Sequence, residues 1–171
     1  MNPLTTYILA FMLARAPVES HRFTGATDAQ TTARYAGIAA DIADVSMDPE
    51  EPPVFSGDDG RVKTAMLLAS ITLFESGGYR ADVDELRHRG DGGQAVCLAQ
   101  IHPWKGERIV DRPSCLRAAL RHLRSSFASC HSMSGYTVGR CEEHEPKAEL
   151  RIRTAIRWLD HHPFAGSLPS P

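Results

Sequence analysis

A glutamate ends one of the apolar stretches of this chain. In TAMLLASITLFESGG, residues 64–78, eleven residues pass without a charge before Glu75, and Ser76, Gly77 and Gly78 follow at once. Ala, Leu and Met favour helix, and no Gly or Pro interrupts the run before Gly77. Paired glycines are a common helix stop, so Glu75 is expected in a last turn. There the negative end of the helix dipole disfavours a second negative charge, and partial burial acts in the same direction. A carboxylic acid kept protonated by such surroundings is suited to general acid catalysis. The ordinary alternative is a glutamate that reaches solvent or pairs with an arginine.

Two further polar side chains stand in settings that could face a ligand. Gln100 lies between Leu98 and Ile101 in RGDGGQAVCLAQIHPW (residues 89–104), after a glycine-rich turn and before His102 and Trp104. Tyr136 is flanked by Gly135 and Gly139, between Cys130 and Cys141. The GDGG run is not a phosphate loop, because no GK[ST] follows it. Cys130 with His131 and Cys141 with His144 suggest zinc ligation. No CxxC pair occurs, and Cys97 and Cys115 lack such a partner, so no metal and no cofactor is expected.

The elements that would position these groups read as mostly helical. Val62, Met66, Ala69 and Leu73 follow helical spacing while Leu67, Leu68, Ile71 and Phe74 fill the other faces, so this helix should be enclosed by protein. Residues 32–45 form an earlier helix with Tyr35, Ile38, Ile42 and Val45 on one face. The acidic, proline-rich segment 46–60 is a long surface connection. AVCLAQI (95–101) is the one strand-like run of the middle region. Pro113 opens a helix whose apolar face is Leu116, Ala119, Leu120, Leu123 and Phe127. Pro146 opens a last one, with Leu150 at the edge of an inward face of Ile152, Ala155, Ile156 and Leu159. The arginine runs, Arg117–Arg121–Arg124 and Lys147–Arg151–Arg153–Arg157, read as solvated faces that would also suit an anionic polymer. Residues 1–17 read as a packing helix in preference to a signal segment: no basic residue precedes the apolar run, Arg15 interrupts it, and it is too short to span a bilayer.

At 171 residues with a net charge of −2, the chain has room for a core and no overall basic surface for nucleic acid. Its 42% apolar and 23% charged residues are ordinary for a globular chain. Four cysteines fit two disulfides in an oxidising compartment.

Together ESGGY (75–79), CLAQI (97–101) and GYTVG (135–139) resemble, in order and spacing, the three motifs of the lysozyme-like lytic transglycosylases, goose-lysozyme-like in type. The resemblance covers about residues 62–160. Cys97, Ala99 and Thr137 stand where the family has glycine, methionine and asparagine. It implies a mainly α, α+β lysozyme-like fold, with a short β and loop region lining a glycan cleft. The division implied is an N-terminal helical extension and Pro-rich loop (1–60), a catalytic domain (61–162) and a tail (163–171). The activity implied is cleavage of the bond between N-acetylmuramic acid and N-acetylglucosamine in peptidoglycan. Glu75 would be acid and base in turn, with Ser76, Gln100 and Tyr136 as substrate contacts. A hydrolase would need a second carboxylate, for which Asp82, Asp84, Glu85 and Asp91 are candidates and Asp91 is preferred. Cys97–Cys115 and Cys130–Cys141 are the expected disulfides, each closing a short loop beside a cleft motif. The partner would be a glycan strand, the protein a monomer, and the location the cell envelope or beyond it, in a bacterium or a phage. A non-catalytic glycan-binding or structural module is the rival reading; it would keep the cleft but not need Glu75.

Overall fold

The computed structural model describes residues 2–166 and, for residues 22–24, the backbone alone. Seven α-helices are formed among them, with two short 3-10 turns. Helix α1 (Pro3–Arg15) starts on Asn2, whose side chain accepts from the Thr5 amide at 2.8 Å. It buries Leu4, Ile8, Phe11 and Met12, as expected of a packing helix. Helix α2 (Asp28–Met47) begins with a reciprocal cap between Thr27 and Gln30. Its buried face carries Tyr35, Ile38, Ile42 and Val45.

Helix α3 (Gly60–Glu75) is buried along nearly its whole length from Thr64 to Thr72, in accord with its unbroken apolar sequence. It packs against α1, α2, α5 (Arg112–Cys130) and α7 (Pro146–His161). The short α4 (Ala81–Asp84) and α6 (Ser134–Val138) lie in the connections. One hydrophobic cluster joins side chains of α1 and α2 to those of α3, α5 and α7, so the core runs across the expected boundary at residue 60. Residues 163–166 of the tail are not helical, and Phe164 packs edge-on against Tyr7 at 5.3 Å. The tail PFAGSLPSP reads as irregular, and its residues 167–171 lie outside those described.

The arginines of α5 are not free for an anionic polymer. Arg117 pairs with Asp48 at 3.0 Å, Arg124 with Glu51 at 3.0 Å and Arg121 with Glu107 at 2.6 Å. The first two tie the acidic connection 46–60 to the helix. Such half-exposed pairs contribute about 0–1 kcal/mol each, so they fix the loop's path more than they stabilise the fold.

Three expectations need correction. No strand forms among the described residues: segment 95–101 makes only isolated antiparallel bridges, Gly90 to Ala95 and Val96 to Ile101. The segment turns back on itself because Cys97 and Gln100 both take positive φ, 62° and 45°. Tyr136 lies on the short helix α6, although the Ser- and Gly-rich run between Cys130 and Cys141 reads as a loop braced by those cysteines. Finally, α7 is rotated from its expected face. Ala148, Arg151, Ala155 and Trp158 are buried, whereas Ile156 is 49% and Leu150 44% exposed. Trp158 anchors that face against Phe11, ring to ring at 5.4 Å.

Candidate functional site

Glu75 is the last residue of α3, and two glycines with positive φ, Gly77 at 62° and Gly78 at 88°, carry the chain away from it. Its carboxylate is 19% exposed and its Oε1 lies 2.6 Å from Nη2 of Arg151, itself 8% exposed. Burial raises the Glu75 pKa above the usual carboxylate value; Arg151 and Lys147 oppose the rise, and the charge of Asp91 adds to it. The net direction is upward. The arginine partner of the ordinary reading and the raised pKa of the catalytic reading are therefore both present.

The second group comes from the turn at residues 90–102. Gln100 donates from Nε2 to the Cys97 carbonyl at 2.9 Å. Its Oε1 lies against Gly90 so closely that a β-carbon there would stand 2.2 Å from it, so a side chain at 90 would displace the Gln100 amide. Asp91, Cys97 and Gln100 all adopt left-handed backbone conformations, with φ of 46°, 62° and 45°. For non-glycine residues each costs on the order of 1–2 kcal/mol and persists only where surrounding contacts enforce it. The Cys97–Cys115 disulfide ties the turn to α5, and the bridges Gly90 to Ala95 and Val96 to Ile101 close it. Where the resembled family has a glycine, this chain has a cysteine in a glycine-like conformation, held by a covalent bond.

Tyr136 supplies the third group. Its hydroxyl donates to the Ala99 carbonyl at 2.7 Å and so joins α6 to the Gln100 turn. Burial holds the phenol well above its ordinary pKa, and the nearby Glu75 charge pushes it further up. Next to it, Thr137 donates to the Glu145 carboxylate at 2.8 Å, which also caps α7 by accepting from the Ala148 amide. The helix that carries Arg151 is thus fixed to the helix that carries Tyr136. The second expected disulfide, Cys130–Cys141, closes the segment around α6.

Glu75, Asp91, Gln100, His102, Tyr136 and Thr137 line one cavity of about 190 Å³. A larger groove of about 710 Å³ shares five of them, Asp91, Gln100, His102, Tyr136 and Thr137, and continues past Pro103 to Trp104. Three segments distant in sequence therefore converge on the carboxylate. Among the four candidate second carboxylates, only Asp91 lines this cavity. Asp82 pairs with Arg80, Asp84 with Arg112 and Glu85 with Arg87. Asp91 itself is held by His102, with Oδ2 2.8 Å from Nε2.

Ser76 is placed elsewhere. It is 2% exposed, donates to the Thr72 carbonyl at 2.5 Å and accepts from the Tyr79 amide at 2.7 Å. Both capacities of its hydroxyl are used in shaping the ESGGY turn, so it does not line the cavity as the expected substrate contact. Zinc ligation loses its thiolates, since all four cysteines form disulfides. Among the described residues no cluster of His, Cys, Asp or Glu is suited to a metal ion. No described helix is long and apolar enough to cross a membrane.

Sequence reasoning missed Arg151. Its signal was present: Ala148, Arg151, Ala155 and Trp158 share one helical face, and a single arginine within a buried face needs a buried acid. Neither a family model nor a curated protein nor a solved structure matches the chain.

Proposed function

We propose that this protein cleaves the glycan strand of peptidoglycan as a lytic transglycosylase, with Glu75 as acid and then base. The observation that carries the reading is the convergence of a buried, pKa-raised carboxylate with Gln100 and Tyr136 on one cavity. Glu75 gives its proton to the glycosidic oxygen as the bond from C1 of N-acetylmuramic acid breaks. The carboxylate then takes the proton of the muramyl 6-hydroxyl while that oxygen bonds to C1. A 1,6-anhydro ring forms, no water is consumed, and Glu75 ends protonated. Between the two transfers Arg151 stands against the ionised carboxylate. Gln100 offers an amide to the substrate, and Tyr136 braces the wall that carries it.

Asp91 favours a second reading. It lines the same cavity, and a hydrolase of the common kind needs two carboxylates separated by roughly 5–9 Å. Mass spectrometry of digested, purified peptidoglycan separates the two. Anhydromuramyl ends are expected; reducing muramic ends would show hydrolysis with Asp91. No release at all would overturn both readings and leave a glycan-binding or structural module. The two disulfides fit an oxidising compartment, and we place the protein in the cell envelope, the periplasm or outside the cell.

A further inference from the structure

At the far end of the groove stands an indole held out toward solvent by a network that is itself enclosed. Trp104 is 49% exposed, the one aromatic ring among the exposed large hydrophobic side chains of the described residues. One of its faces is covered: the His122 ring stacks on it at 4.0 Å with an interplanar angle of 14°. His122 is fixed in turn by Glu107, whose Oε2 lies 3.0 Å from its Nε2 and also accepts the Trp104 backbone amide at 3.1 Å. Glu107 Oε1 takes Arg121 at 2.6 Å, and the carboxylate side chain is only 8% exposed. A buried carboxylate with three partners therefore orients an aromatic ring that contributes little to the core.

Lone exposed apolar residues are common and need no account. A rigidly backed one bordering a polar groove beside a candidate catalytic acid is different. Asp91, Gln100, His102 and Thr137 bring hydrogen-bonding groups to that groove, beside the apolar Ile101, Pro103 and Val138. A flat aromatic face beside such hydrogen-bonding groups matches a pyranose ring, which has an apolar C–H face and a rim of hydroxyl and acetamido groups. A nucleobase would also stack, but Arg121, which meets the same carboxylate as His122, is paired with Glu107, and Asp91 brings negative charge to the groove. Those features disfavour a polyanion.

We propose that Trp104 is a stacking platform for an N-acetylhexosamine ring, a binding position one or more sugars away from the bond at Glu75. This rests on the proposed function for its substrate class but not for its chemistry. The test uses the full chain carrying Glu75→Gln, so that nothing is turned over, and titrates it with the β-1,4-linked tetramer of N-acetylglucosamine. The second tryptophan, Trp158, is 8% exposed, so a fluorescence change on binding reports Trp104. A saturable change is expected. Trp104→Ala should weaken binding measured by calorimetry about tenfold, and Trp104→Tyr should restore most of it. Unaltered affinity in Trp104→Ala with native circular dichroism overturns the proposal. So does the absence of saccharide binding, or saturation by a single-stranded oligonucleotide in its place. If the tetramer binds at Trp104 while Glu75→Gln still lyses walls, the platform stands and the catalytic reading falls. The converse pattern sinks the platform alone.

Discussion

Arg151 meets Glu75 across the packing of α7 on α3, Nη2 to Oε1 at 2.6 Å, with neither side chain more than one-fifth exposed. The guanidinium also donates from Nη1 to the Lys147 carbonyl at 2.7 Å, lies 5.6 Å over the Phe74 ring, and leaves its Nε without a partner. The carboxylate is therefore subject to opposed influences. Burial favours its neutral form and Arg151 its ionised form, and burial prevails. A group that must release a proton and then retrieve one is served by such opposed influences.

Removing the arginine should tip that balance. Arg151→Met deletes the main influence holding the Glu75 pKa down, so the pKa rises further. Activity that needs protonated Glu75 falls as pH increases through that value, and the alkaline limb of the pH–rate profile should move to higher pH in the variant. An unmoved limb with native folding would show that Glu75 is not the titrating acid. A merely structural arginine would lower the rate without displacing the profile.

The two disulfides should differ in accessibility. Cys97 is 2% and Cys115 0% exposed, whereas Cys141 lies at the surface. Mild reductant under native conditions should open Cys130–Cys141 first, read by alkylation and peptide mapping. Loss of this short loop closure should cost roughly 2–3 kcal/mol. It should also lower activity, since the closed segment holds α6 and Tyr136. Prior opening of Cys97–Cys115 would contradict this order.

Much of this arrangement was legible in the sequence because it rests on local rules. The enclosed α3 followed from an apolar run without breaks, its end from paired glycines, and the start of α5 from Pro113. The disulfide pairing followed from loops beside the cleft motifs. What was not legible depends on tertiary contacts. Arg151 looks solvated in a run of four basic residues until a buried acid faces it. Ile156 fits an apolar stripe as well as Trp158 does, and the aromatic contact with Phe11 decides between them. AVCLAQI has strand-like composition, but it turns back at Cys97 and Gln100 and is bonded through Cys97 to a distant helix.

A third prediction concerns the scaffold behind the site. Arg112 grips Asp84 with two parallel contacts of 2.7 and 2.8 Å and reaches Asp41 at 2.5 Å, joining α5 to α4 and α2. The Asp84 side chain is only 3% exposed. Arg112→Met leaves that charge enclosed and unpaired, and urea denaturation should show a loss of about 3–5 kcal/mol. Arg112→Lys should recover little, because an ammonium cannot reproduce the planar fork. A loss below about 1 kcal/mol in the methionine variant would show that Asp84 reaches water.

The decisive substitution is Glu75→Gln, which keeps size and polarity but cannot donate the proton. Wall-lysing activity should fall by at least the roughly 10²–10⁴-fold that general acid catalysis contributes. Asp91→Asn is the matched control: a transglycosylase should lose far less from it, and a two-carboxylate hydrolase comparably. Folding should survive, because the amide oxygen still accepts from Arg151, so the cost stays below the roughly 3–5 kcal/mol of a broken buried pair. Stability carries an independent check. A raised native pKa means that folded protein binds more protons than unfolded protein between the unfolded and folded values of Glu75. Wild-type stability therefore declines relative to the glutamine variant as pH rises through that window, above the ordinary carboxylate value. Denaturation curves for both proteins at several pH values should converge in acid and shift in the variant's favour toward neutrality. A difference that does not change with pH would mean that Glu75 titrates normally, and near-normal lysis by a folded Glu75→Gln protein would remove it from the chemistry altogether.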